Sequence, residues 1–546
     1  MRRGWVYHRA MRCLPRAVAG AGLLISLCVA GRAQQIPVFR ASSRLVEFTV
    51  VVERGNSAAG SLTKGDFRVT DNGKPRTISV FEASAAARKR AAQPAPLPPG
   101  EFSNAPSYAS ERRRNLGVIL LDCLNSTTRM AGDGLHPTFD AGGGCAEGKQ
   151  GIARYFDRLG ADDSVALWAL DTRRLEVLSD FSTNKAQLLA GLRRFQPARN
   201  LEGLAPFPGS FASAGGSKFA ALSSGFDLRV AYAQHLDDQA FTLAALRAIG
   251  NHLARVPGRV SLIWVTAAPC IPAREIAAAL GNQRVAVYPV DARELITRGR
   301  ILQGRDYGGP GPTNSPFKWW ANCSQSTWQP PGQNDLNDIA ARTGGVAFMN
   351  TNDLAAGIRQ AVEDSAESYT LGFYVGSRSV DNKFHLLHVR LTLRGLRARY
   401  PSGYWATADT AARSGVDPMA VAIGSPVDAE GIPITARVAV FDGNRLIVSG
   451  AVGIGGLELS QRDGVRRGAV TIGLVGQNAA GVVVQRMSNP IRLRLTASQY
   501  AAALRNGLQF RQTFTPAAGV VTVRILAEEP ATGNVGSLII PLNRAH

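Results

Sequence analysis

Hydrophobic and polar residues follow three different patterns along this chain. Near the N-terminus, Leu45-Val-Glu-Phe-Thr-Val-Val-Val52 is rich in β-branched residues, and Phe67 and Val69 alternate with polar neighbours. Both patterns predict strands. Asp71-Asn-Gly-Lys74 predicts a tight hairpin turn, because Asn-Gly readily takes positive φ, and Thr77–Phe81 predicts the returning strand. Residues 34–83 therefore read as a small β domain.

From residue 116 the pattern changes. Leu116–Leu121, Ser164–Leu170, Val260–Val265 and Arg284–Val290 are nearly continuous apolar runs. Such runs predict parallel strands buried on both faces. Between them lie segments with helical spacing; in 239–255, Leu243, Leu246, Ile249 and Leu253 recur at intervals of three and four. Asn352-Asp353 predicts a helix N-cap, and Gly344-Gly345 a left-handed C-cap. Tyr369–Val375 and Phe384–Leu393 predict antiparallel strands. Strands alternating with helices over 116–405 predict a doubly wound, Rossmann-type α/β core. Residues 196–238 and 295–332 are longer than ordinary connections. Loops of that length in a compact domain are usually functional or disordered.

The third pattern covers 406–546: short strands separated by turns at Asp442-Gly-Asn, Asp463-Gly and Thr532-Gly-Asn. It predicts a β-sandwich-like domain. Residues 84–115, rich in Ala, Pro and Arg, read as a linker between the first two regions.

Composition narrows the function. Of 546 residues, 45% are hydrophobic and 19% charged, which excludes a disordered tail or a coiled coil. The net charge of +21 raises the question of a nucleic-acid partner. Part of that charge has another origin. The first 33 residues combine a basic start, an apolar stretch (Ala17–Ala30) and a small-residue cleavage site at Gly31-Arg-Ala33. They read as an export signal cleaved after Ala33, which implies a periplasmic or secreted protein. Cleavage removes six arginines and no acidic residue, leaving +15. The remaining arginines are scattered, with clusters at Arg88-Lys-Arg90 and Arg112–Arg114 in the linker, and no nucleic-acid module is seen. No further uncharged apolar run of 18 residues exists, so no transmembrane helix is expected in the mature chain.

Six cysteines become four after cleavage: Cys123, Cys145, Cys270 and Cys323. An even number in an exported chain permits two disulfides. No HExxH, GxSxG or GxxxxGK[ST] motif occurs. His385 and His388, three apart in an expected strand, point to opposite faces and form no metal pair. The expectation is a non-enzymatic protein. An envelope-associated hydrolase and an anionic-polymer-binding protein are the alternatives.

The chemistry concentrates at the carboxyl end of the first expected α/β strand, where ligands of such sheets sit. That strand ends in Asp122-Cys-Leu-Asn-Ser126, which resembles the Asp-x-Ser-x-Ser signature of von Willebrand factor A domains, with Leu124 replacing the middle serine. Thr242-Leu-Ala-Ala-Leu246 resembles the helix that supplies the metal-site threonine. Leu262–Thr266 resembles the strand that should end in Asp-Gly, but Ala267-Ala268 follows here. The likeness is nearer to the bacterial VWFA-related proteins abundant in Acidobacteria. It is carried by Leu62–Pro75, Val118–Ser126, Leu253–Val265, Val287–Arg293, Asn350–Leu354 and Glu363–Gly372, and spans roughly 40–405.

The resemblance implies a protein-binding or adhesion module with a metal-ion-dependent site. Asp122, Ser126 and Thr242 are the candidate ligands of a Mg²⁺ ion, which wants octahedral oxygen ligands. Leu124 cannot ligate and Ala267 removes a carboxylate, so the site is expected to be degenerate; Asp122 then caps its loop by accepting N–H bonds. Asp291, on the same edge, either replaces the missing carboxylate or bonds its own loop and pairs with Arg293. The implied sheet gathers the cysteines at one rim, and Cys123–Cys145 with Cys270–Cys323 is the favoured pairing, other pairings staying open. Trp319, Trp320 and Trp328 are candidate anchors for a partner, a protein or an envelope polymer.

Overall fold

The computed structural model describes residues 44–54, 62–84, 97–104, 115–126, 129–131, 138–140, 143–171, 174–197, 236–254, 256, 258–267, 269, 271–280, 284–292, 333–365, 368–376, 381, 383–406, 417–442 and 445–542. The expected signal segment 1–33, Cys270, Cys323, Trp319, Trp320 and Trp328 lie outside them. Among the described residues no helix is long and apolar enough to cross a membrane.

The architecture is mixed. Its central sheet has five strands in the order Leu175–Ser182, Asp163–Leu170, Asn115–Asp122, Val260–Thr266, Val285–Asp291. The first pair is antiparallel and the others are parallel. Side chains alternate across this sheet, and both faces are apolar. Val118 and Leu120 pack on one face with Trp168, Trp264, Leu246 and Ile276. Ile119 and Leu121 pack on the other with Phe156, Val265, Ile358 and Val362. This two-sided burial explains the continuous apolar runs. Each such side chain contributes about 1.5–3 kcal/mol on leaving water. Gly117 is the close-approach point of the central strand: a Cβ there would lie 2.9 Å from a Val362 methyl group.

Helices cover both faces. Residues 236–252, Ala273–Leu280 and Gln333–Thr343 lie on the first face, and Gly143–Phe156, Lys185–Arg194 and Leu354–Glu363 on the second. Asp353 caps its helix as expected, accepting from Ala356 N–H at 3.0 Å. Gly344 ends its helix with φ 79°. The chain enters the sheet at its middle strand, continues to Asp163–Leu170 on one side, then returns to Val260–Thr266 on the other. The topological switch point therefore lies at the carboxyl ends of Asn115–Asp122 and Val260–Thr266.

Strand pairing crosses two of the boundaries read from the sequence. Arg44–Arg54 pairs with Ser368–Val375 and Leu396–Arg399, and Val80–Ala83 joins the same sheet. Phe67–Asp71 and Lys74–Arg76 form a second sheet with Phe384–Leu391 and Gly403–Trp405. Phe48, Phe67, Tyr369, Phe373 and Leu387 fill the space between these sheets. The first β unit is thus completed by residues 368–405, which the sequence pattern assigned to the α/β core. The Asn72-Gly73 turn forms as expected, with φ 47° and 78°. The α/β region is held between Ser84 and Ser368, whose hydroxyl oxygens lie 2.7 Å apart.

Within the expected linker, Glu101–Ser103 is a strand. It pairs with Ile434–Asp442 of the C-terminal unit. Asn104 fixes this attachment by donating to the carbonyls of Ala429 and Ile432. The unit itself has two sheets, built on Ile434–Asp442 with Arg445–Val452 and Leu508–Phe514, and on Val465–Gln477 with Val483–Leu495, Thr522–Glu529 and Asn534–Pro541. Val438, Val448, Ile472, Leu474, Phe514 and Ile525 form their common core, as sandwich packing requires.

A buried polar cluster lies in the first β unit. Asp71 accepts from Arg76 Nη2 at 2.6 Å and Nε at 3.1 Å, and from the Tyr404 hydroxyl at 3.2 Å. His385 Nδ1 lies 2.8 Å from its other oxygen. His385 is buried and His388 exposed, on opposite faces of their strand.

Candidate functional site at the carboxyl edge of the parallel sheet

Asp122 is the last residue of the central strand and is fully buried. Its Oδ1 accepts the backbone N–H of Asn125 at 3.0 Å. Its Oδ2 accepts from Asn125 Nδ2 at 2.8 Å, Trp264 Nε1 at 2.9 Å and Thr266 Oγ1 at 2.9 Å. Parallel register explains these partners. Leu121 is aligned with Val265, so the end of the neighbouring strand lies beside Asp122. Buried Trp264 must place its indole N–H somewhere, and the carboxylate receives it.

The three ligand candidates are brought together. Ser126 Oγ donates to the Asp122 carbonyl. Thr242, on helix 236–252, donates to the Asp238 carbonyl at 2.8 Å and accepts from Asn125 Nδ2 at 3.0 Å. Asn125 therefore links Asp122 to Thr242. The sequence reading passed over Asn125, Trp264, Thr266 and Asp238. Asn125 occupies an unspecified position of the motif, and Trp264 reads as core until register puts it beside the carboxylate.

The electrostatics follow from burial. Desolvation pushes the Asp122 carboxyl above the ordinary range, against the lowering effect of its four donors. At the rim, burial and the charges of Asp237 and Asp122 push Asp238 up to about 6. Asp291, at the end of the next strand, is buried and donates its N–H to the Phe348 carbonyl at 2.9 Å.

Of the four donors on the Asp122 carboxylate, three crowd Oδ2 and one reaches Oδ1. Thr242 and Ser126 give their hydroxyl protons to carbonyls and keep lone pairs on oxygen. Leu124, at the motif's middle position, is buried in the apolar core beneath the sheet. A Cβ added to Gly144 would come within 3.2 Å of the Ala267 Cβ and 3.3 Å of the Ser126 Cβ, so the loops close tightly here. With Leu124 and Ala267 supplying no oxygen, these residues fit poorly a hard divalent cation, which wants near-octahedral oxygen ligands.

The rim is also cross-linked. Cys123 and Cys145, 22 residues apart, form a disulfide with a Cα–Cα distance of 4.9 Å. It ties the end of the central strand to the start of helix Gly143–Phe156. This is one of the two expected pairs, and it accords with an oxidising environment. Comparison with protein-family models found no match, and comparison with curated protein sequences found none either.

Proposed function

We propose that the chain is an exported, non-enzymatic binding protein whose α/β unit is a von Willebrand factor A-like domain of the VWFA-related type. The observation that carries this reading is the hydrogen-bonded linkage of Asp122, Ser126 and Thr242 at the carboxyl ends of the two central parallel strands. The order of that sheet and the helices on both faces support it. In this reading the ancestral metal site has become a hydrogen-bonded hub. It fixes the shape of the rim, and protein recognition there needs no cation.

The rim offers Leu236, 45% exposed, next to Asp237 and Asp238. The test is capture from envelope extract of the source cells on the immobilised full chain, with Mg²⁺ or with EDTA. The expected result is one protein retained equally under both conditions and lost with Leu236→Arg. Leu97→Arg, a substitution at an equally exposed leucine elsewhere, should leave it retained. Retention that vanishes in EDTA would overturn metal independence, and indifference to Leu236→Arg would overturn the rim assignment. Export is tested separately: the N-terminus of the protein from the cell envelope should begin at Gln34.

A further inference from the structure

The strand Val483–Leu495 pairs with Val465–Gln477 alone and forms an edge of its sheet. Its odd-numbered residues Ile491, Leu493 and Leu495 pack on the sandwich core. The even-numbered residues therefore face outward. They include Arg486, Arg492 and Arg494, all exposed. On the neighbouring strand exposed Arg467 stands directly opposite Arg494, and Arg492 is opposite Ala469. Like charges directly opposite one another across strands destabilise a sheet. Among the described residues none of these four arginines makes an ion pair. Glu528, on the same face one strand further over, pairs with none of them, while nearby Arg462 is offset by Asp463.

Charge distribution sharpens the point. Residues 417–546 carry twelve arginines, no lysine and eight acidic residues. Glu430 and Glu529 are buried at 2% exposure, and burial pushes Asp428 up to about 7. Among the described arginines of this unit, Arg524 alone is buried. The outside of this unit is thus more basic than its composition. Guanidinium forks match carboxylates in a bidentate way that ammonium groups do not.

We propose that this face binds a linear polysaccharide bearing carboxylate groups. The inference is independent of the reading of the α/β rim. Arg486 to Arg494 runs about 27 Å along one strand at ~3.4 Å per residue, a line suited to an extended polyanion. No aromatic side chain lies among the outward positions of that strand, so base stacking has no platform there. Between Arg486 and Arg494 the outward positions hold one apolar residue, Pro490, too little to insert into a bilayer. Pro490 also lacks the N–H that a partner strand would need for pairing along this edge.

The test measures binding of polygalacturonate to the full chain at low and physiological salt. Arg467→Gln/Arg492→Gln/Arg494→Gln should weaken binding by about tenfold or more. The charge-matched Arg158→Gln/Arg193→Gln/Arg194→Gln, on exposed positions of the α/β unit, should change it less than about twofold. Without polymer, the first variant should melt at the same temperature as the parent or higher, because repulsion is relieved. Equal weakening in both variants, no binding by the parent chain, or tighter binding to phosphatidylglycerol vesicles or duplex DNA would overturn the proposal. So would a lower melting temperature, which would give the arginines a structural role.

Discussion

Asp122 and Asp71 are both buried aspartates, and both sit among four donors. Their partners differ in kind. Asp122, at the edge of the parallel sheet, receives an amide N–H, a side-chain amide, an indole and a hydroxyl, all neutral. Asp71, in the small β unit, receives two bonds from Arg76, one from Tyr404 and the approach of His385. The number of bonds is the same, but only Asp71 has a cation beside it. Neutral dipoles satisfy geometry without balancing charge, which is why burial still pushes the Asp122 carboxyl upward. One aspartate is built as half of an ion pair, the other as the hub of a loop.

The largest expected effect tests the ion pair. Asp71→Ala leaves Arg76 without its counter-charge and should cost about 3 kcal/mol. That is the low end for a buried pair, since Arg76 is 24% exposed. A urea midpoint unchanged by this substitution would remove the contrast. Next, Cys123→Ser/Cys145→Ser opens the loop beside Asp122 and should cost roughly 3 kcal/mol by urea unfolding, or somewhat less. A smaller change, about 1–2 kcal/mol, is expected for Asp122→Asn, which keeps the shape and disturbs one or two neutral bonds.

The last variant also carries a pH signature. A carboxyl whose folded value is raised binds its proton more tightly in the native state. Its presence lowers stability as pH rises from the unfolded value, near 3.8, through the raised folded value. Asp122→Asn should flatten that decline, and the Asp238 carboxyl should titrate below about 6 once the neighbouring charge is gone. Carboxyl chemical shifts of Asp238 check this; an unmoved titration would mean that Asp122 carries no charge. The smallest expected effect is none: millimolar Mg²⁺ or EDTA should leave the melting temperature unchanged. A clear rise with Mg²⁺ would break the comparison, because ligand binding to the native state stabilises it.

Local patterns made part of this legible. The continuous runs Leu116–Leu121 and Val260–Val265 marked strands buried on both faces, and the Asp-Asn-Gly turn marked its hairpin. The Asp122 segment stood out because it ends a strand of the α/β pattern and resembles Asp-x-Ser-x-Ser. Pairings between distant segments were not legible. Nothing near Leu45–Val52 states that its partner begins at Ser368, because both segments simply read as strands. Glu101–Ser103 is too short to rise above the proline-rich segment around it. Trp264 was hidden for the opposite reason: an indole in an apolar run looks like core, and it is core except for one N–H.

The bond between Ser84 and Ser368 has a consequence for the order of events during synthesis. The α/β region is an insertion, and the strand Arg44–Arg54 lacks both of its neighbours until residues 368–399 leave the ribosome. An early strand with two open edges is a hazard for intermolecular pairing. The inserted region can fold while that strand waits, and its closing ends then carry the late partners to within reach. Assembly of the small β unit should therefore follow folding of the inserted region and precede that of the C-terminal unit, whose strand Ile434–Asp442 is made later still.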